Sequence, residues 1–319
     1  MLYPAELPGR GLQPTCGAVW TKARLGRKTV SMDLRGPHPS LLRSDRPRLR
    51  RTAFAVLVAV SLASAGSVRA ACGAPDGSVR VAEVDNRLDL VLTDGRTVRF
   101  AGVAAPDPAR SPDLAGQARS FLTARFVGRD GELERLASGV DRWGRILADL
   151  TFPDSAPGGG RESAASALLA AGYARVTPAL EARGCVAERL REEDEARRAG
   201  LGMWVDPSYA VIDAADAETL RQSDGRFVVI EGIVRRVGFG RSRLYLDLVP
   251  KGGPTIVIPR KLEPAFARAG LALGAAAGET IRVRGAIDNR SGPKVEVSEP
   301  AMMEFLGRFD APESSKTRP

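Results

Sequence analysis

The chain has 319 residues, with 47 Lys and Arg against 38 Asp and Glu and one histidine, a formal net charge of +9. The excess sits in residues 1–70, where 12 basic side chains stand against 3 acidic ones; the remainder carries 35 of each and offers no charge-based case for nucleic acid. The single histidine, His38, lies in that leading part. Everything after it excludes Ser-His-Asp and Cys-His catalysis and imidazole metal sites, which leaves carboxylates, Arg, Lys, Tyr and Ser for any chemistry.

Arg46, Arg48, Arg50 and Arg51 precede an uncharged apolar run at 53–65, and Val68-Arg69-Ala70 fits a small-x-small cleavage pattern. This is the layout of a secretory signal peptide, and the run is shorter than the ~20 residues a membrane span needs. Residues 1–70 therefore read as a preamble and signal peptide, with Met32 as an alternative start. The expected location is periplasmic or secreted, and the alternatives are a short anchor or a buried strand. Lipidation at Cys72 fits less well, because Arg69 stands where such a site wants a branched apolar residue. Two cysteines remain after cleavage, Cys72 and Cys185. In an exported chain they favour one disulfide over two buried thiols, closing a long loop that stabilises by about 3–5 kcal/mol in the entropy model.

Residues 81–84, 88–92 and 97–103 read as strands, with a hairpin turn at Asp94-Gly95. Residues 114–127 have helical period, with Leu114, Ala118, Phe121, Leu122 and Phe126 on one face. Strands are expected at 132–136 and 146–150 around Asp141-Arg142-Trp143-Gly144, then a breaker-rich loop at 153–161 and a short helix at 163–171 ended by Gly172. A charged amphipathic helix at 185–199 turns Val186, Leu190 and Ala196 inward, closes at Gly200 and docks through Met203 and Trp204. Strands at 227–237, 244–249, 255–259, 280–287 and 294–297, with a helix at 262–269 after the third, follow the chain order of an OB-type barrel.

Four blocks, 84–107 (VDNRLDLVLTDGRTVRFAGVAAPD), 141–150 (DRWGRILADL), 168–176 (LLAAGYARV) and 195–204 (EARRAGLGMW), together resemble the staphylococcal nuclease, or thermonuclease, family over nearly all of 80–206. The resemblance implies an α+β fold, a five-stranded OB barrel with three helices, and Ca²⁺-dependent cleavage of DNA and RNA. Such chemistry needs converging carboxylates for the metal, a carboxylate base for the attacking water, and two arginines on the phosphate. By motif, Arg99 and Arg145 occupy the arginine positions, Asp107 that of the general-base glutamate with one methylene fewer, and Arg142 and Trp143 positions that border the nucleotide. The metal ligands depart from the pattern. Ala104 replaces one aspartate; Asp85 survives from the first block, but the second aspartate there falls on Arg87, or on Leu88 counted back from the turn. Strand alternation, with Leu88, Leu90 and Leu92 inward, turns Asp89 the other way and argues against its substituting as a ligand.

The expected organisation is 1–70 preamble and signal peptide, 71–206 nuclease-like domain, 207–223 linker, 224–307 OB-like barrel and 308–319 disordered tail. No metal site is expected intact, with Asp85 a weak candidate, and no cofactor is expected. The leading functional expectation is an exported homologue with impaired or absent nuclease activity that binds nucleic acid or another polyanion. The alternatives are an active phosphodiesterase with a rearranged site, which would need Ca²⁺, and an envelope interaction or polysaccharide-binding protein. In the second barrel, Phe239 and Tyr245 with Arg235, Arg236, Arg241 and Arg243 form a candidate stacking patch; the alternative is that Tyr245 packs inside.

Overall fold

Alternating apolar side chains lay down the first barrel. The computed structural model describes residues 72–153 and 160–308. The expected signal peptide, all but the ends of the 153–161 loop, and the tail beyond 308 lie outside the described residues. Strands β1 (Ala74–Val84), β2 (Leu90–Leu92), β3 (Thr97–Phe100) and β4 (Val103–Ala104) precede helix α1 (Pro112–Phe126). Then come β5 (Asp130–Val140), β6 (Ile146–Pro153), β7 (Arg161–Ser163), α2 (Ala164–Ala170), β8 (Arg175–Val176) and α3 (Val186–Arg198). The sheet runs β3-β2-β1-β5-β6-β7, and a parallel pairing of β3 with β6 closes five of these strands into a barrel. Leu90, Leu92, Val98, Leu133, Leu150 and Phe152 fill it, and Leu122 and Phe126 of α1 with Leu168 and Leu169 of α2 cover it. Each such side chain removed from water stabilises by roughly 1.5–3 kcal/mol.

The second half contains β9 (Ile212–Asp213), α4 (Ala217–Gln222), β10 (Phe227–Ile233), β11 (Arg236–Phe239), β12 (Arg243–Asp247) and β13 (Thr255–Pro259). It continues through α5 (Glu263–Arg268), β14 (Glu279–Asp288), β15 (Lys294–Glu296) and β16 (Met303–Arg308). Its barrel-like sheet runs β11-β12-β13-β15-β14-β10-β9, with β16 beside β14. The stretch expected as a linker, 207–223, is built into this half: β9 pairs with β10, and Leu220 of α4 is buried in the second core. Short strands with few apolar residues carry little periodic signal. The same reason hides β16, whose last residue, Arg308, was expected in the tail.

Cys72 and Cys185 form a disulfide with Cα atoms 5.2 Å apart across 113 positions. It fastens the start of the first barrel beside the N-terminus of α3. The other end of α3 is fixed by a close crossing. Gly172 and Gly202 both have positive φ, a Cβ on either would collide with the backbone of the other's segment, and Met203 N donates to Gly172 O at 2.9 Å.

Between these anchors α3 buries charge. Its inward residues are Val186, Arg189, Glu193 and Ala196, with Leu190 only partly buried. Val186 and Ala196 turn inward as expected, Leu190 does so only partly, and Arg189 and Glu193 join them because they find partners from distant strands. Arg189, fully buried, donates to Ala101 O at 2.6 Å and to Asp149 Oδ2 at 2.9 Å. Asp149 also accepts from Ser163, the N-cap of α2, and from the amides of Leu150 and Ala165. Glu193, also fully buried, accepts from Val176 N and from Arg284 Nη1 of β14 at 2.8 Å. Arg284 reaches Glu304 of β16 as well, and Arg282 spans Glu231 and Asp194. Burial opposes the Arg284 charge, but Glu193 and Glu304 outweigh it and raise the guanidinium above its ordinary pKa.

Removing one partner of a buried pair strands the other. Arg284→Met is therefore expected to destabilise by about 3–5 kcal/mol, read from urea unfolding. A loss below about 1 kcal/mol, the level of a surface pair, would show that this contact does not hold the halves together.

Candidate functional site

Two turns of the same design meet on the outer side of the first barrel. In one, Asp85 Oδ1 accepts from the amides of Arg87 (2.7 Å) and Asp89 (2.9 Å), and Asp85 N donates to Asp89 O at 3.0 Å. In the other, Asp141 Oδ1 accepts from the amides of Trp143 (2.9 Å) and Arg145 (3.0 Å), and Asp141 N donates to Arg145 O at 2.9 Å. The fourth residue of each has positive φ: Gly144 at 79° and Leu88 at 64°. Leu88 is the only non-glycine among the described residues in that region, a conformation that costs an L-residue about 1–2 kcal/mol. Its burial, at 3 % exposed, offsets that cost. The expected strand at 88–92 accordingly begins only at Leu90.

The last residues of the two turns meet. Asp89, 1 % exposed, receives Arg145 Nη1 at 3.0 Å and Arg99 Nη2 at 2.9 Å, with a second, closer contact from Arg99 Nε. Arg145 also closes on Asp141, Nε to Oδ2 at 2.8 Å. The alternation that points Asp89 away from Leu90 and Leu92 holds, but Arg99 lies between buried Val98 and Phe100 and therefore shares Asp89's side. Sequence reasoning misplaced the site relative to the barrel wall, and so missed Asp89 as the arginines' partner. The signal that could have found it is the matched pair of turns, Asp85 to Asp89 and Asp141 to Arg145.

Burial opposes ionisation of Asp141, yet hydrogen bonds from the Arg145 side chain and the Arg145 and Trp143 amides outweigh it and hold the carboxyl at about 2, below its ordinary 3.8. Burial likewise opposes the Arg145 charge, and Asp141 and Asp89 together raise its pKa. Trp143 is 56 % exposed, and its ring carries Arg142 at 3.9 Å and Arg145 at 4.7 Å.

Asp107 does not join this cluster. Its Oδ1 accepts from Ala109 N at 2.9 Å, its carbonyl caps the turn into α1, and Arg110 lies 3.5 Å from Oδ2. Ala104 sits in β4 opposite Arg175 and supplies no oxygen beyond its backbone. Ca²⁺ takes six to eight oxygens, with carboxylates converging on it. Here the Asp89 carboxylate faces two guanidinium groups, and Asp85 is committed to its turn. Among the described residues no three acidic, histidine or cysteine side chains gather as a metal site. This donor set does not fit Ca²⁺.

Residues 97–206 match the family model described as staphylococcal nuclease homologue, and this segment is a domain of that family. The match begins at β3, beyond the Asp85–Asp89 turn where the first block departs from the family pattern. No curated protein matches the chain.

Asp89→Asn removes the only carboxylate paired with Arg99 among the described residues and one of two paired with Arg145. The expected cost is about 3 kcal/mol, the low end for a buried pair because Arg99 is partly solvated, measured by urea unfolding. Asp141 carries a pH signature. Its folded pKa lies below the ordinary value, so its stabilisation is complete above about pH 4 and is lost as pH falls from 3.8 toward 2. Unfolding midpoints of Asp141→Asn and wild type should differ at neutral pH and converge across that window; a constant gap would sink this assignment.

Proposed function

We propose that this chain, with a staphylococcal nuclease homologue domain at 97–206, is an exported protein that does not cleave phosphodiesters with Ca²⁺ and instead binds an anionic ligand, nucleic acid in the first instance. One observation carries the non-catalytic part of the reading: the two arginines that would hold the phosphate are both engaged by the carboxylate of Asp89. A phosphate would have to displace a buried intramolecular carboxylate, which pays no translational cost to stay in place. It would also have to do so where the residues present do not fit a divalent ion. The pairing of Cys72 with Cys185 supports export to an oxidising compartment.

A second reading rests on the other half. Phe239 is 62 % and Tyr245 37 % exposed, and the two lie on paired strands, with Gly238 opposite Tyr245. Tyr245 therefore points out of the barrel-like sheet, and the alternative that placed it inside is set aside. Exposed Tyr245 beside Arg236 and Lys294 along one groove suits the stacking of a base or sugar ring in an OB-like barrel, while Phe239, paired with buried Leu244, faces the other way.

The assay is incubation of the purified protein with single-stranded DNA and RNA, with Ca²⁺ and then with chelator. No metal-dependent cleavage is expected. Cleavage that needs Ca²⁺ and disappears in Arg145→Ala would overturn the non-catalytic reading.

A further inference from the structure

Arg175 is the best candidate for a charge awaiting a ligand. It lies in β8, with its guanidinium carbon 4.7 Å from the Phe227 ring centroid and 5.4 Å from that of Tyr209. Among the described residues its guanidinium makes no ion pair or hydrogen bond, whereas those of Arg99, Arg145, Arg189, Arg282 and Arg284 all have carboxylate partners. It opens into a cleft of about 540 Å³ where the two halves meet, walled also by Arg226, Arg110, Ser111 and Asp107. Three arginines there face a single carboxylate, Asp107, which Arg110 already answers at 3.5 Å.

Two hydrogen bonds that do not involve Arg175 brace the cleft. Tyr209 is buried and its hydroxyl donates to Ser111 Oγ at 3.1 Å, which fixes one wall to the start of α1. Arg226 Nη2 donates to Ser208 O at 2.9 Å, which fixes the other. Burial, with repulsion from Arg226 and Arg284 and against support from Tyr209 and Glu193, lowers Arg175 to about 10. It stays charged at neutral pH, and an anion in the cleft would reverse that depression.

We infer that this cleft is an anion site for a phosphate group, with Arg175 as its principal contact and Arg226 beside it. The volume is in the range of small-ligand pockets, and a guanidinium matches phosphate in a paired, planar geometry. Tyr209 and Phe227 lie outside the segment that matches the nuclease family, so the site is a product of joining the two halves. The inference does not depend on the loss of nuclease activity. Cleavage assays test that reading, and equilibrium binding tests this one.

The test is titration calorimetry of the purified protein with inorganic phosphate, with thymidine 5′-monophosphate and with a short oligothymidylate. Wild type should bind at least one of them saturably. Arg175→Met should bind it about tenfold or more weakly, the effect of losing a charge-assisted contact, and Arg175→Lys should fall between. Arg226→Ala should weaken binding several-fold. The unfolding midpoint of Arg175→Met should be unchanged or raised, since the variant removes an unpaired, partly buried charge; a drop would mark a merely structural arginine and count against the site. Equal affinity for the monophosphate and the oligomer identifies a small phosphate ligand. Tighter, salt-sensitive binding of the oligomer identifies a strand phosphodiester. No saturable binding, or binding equal to wild type in Arg175→Met, would overturn the inference. So would oligomer binding that survives Arg175→Met and is lost in Tyr245→Ala.

Discussion

The carboxylate of Glu193 is the constraint on which the arrangement of this protein depends. It is fully buried near the middle of α3, and it accepts at once from the Val176 amide of its own half and from Arg284 of the other. A charge taken out of water is tolerated only when partners satisfy it. The two halves, which lie in one compact unit of the chain, must therefore keep a fixed register along α3. Arg282 and Asp194 one residue away extend the contact to a ladder. Because β8 carries both Val176 and Arg175, the same register that pairs Glu193 with Arg284 also brings Arg175 against Tyr209 and Phe227.

A second buried pair does the equivalent work inside the first barrel. Arg189 and Asp149 tie α3 to β6 and to the cap of α2, with every oxygen of Asp149 answered. The disulfide sets the start of α3 and the Gly172–Gly202 crossing sets its end. With both ends and the middle held on the first barrel, α3 presents Glu193 to Arg284 of the second half.

Asp89, Arg99 and Arg145 form a self-contained charge cluster on the face where the resemblance places the arginines. The turn from Asp85 to Asp89 delivers a carboxylate to Arg99 and Arg145. The left-handed Leu88 makes that delivery possible, standing where the twin turn has Gly144. The anion these guanidinium groups bind belongs to the protein. Arg175, on a different wall, is left without one.

Much of the fold was legible from the residues alone. The hairpin at Asp94-Gly95, the apolar faces of α1 and α2 and strands β12, β13, β14 and β15 around α5 follow from local pattern, because turn chemistry and periodic burial act over a few positions; the strand expected at 227–237 is two, β10 and β11. The motif blocks singled out Arg99 and Arg145, which the structure brings together on Asp89, and Asp107, which lies apart at the start of α1. What stayed hidden was every contact in which a charged residue is buried: Arg189 with Asp149, Glu193 with Arg284, Asp89 with both arginines. In a single sequence a charged side chain reads as solvated, since burial without a partner is prohibitive and the partner lies 40, 91, 10 or 56 positions away. Whether such a charge faces water, another charge or an open cleft is decided only when the tertiary structure brings those distant positions together.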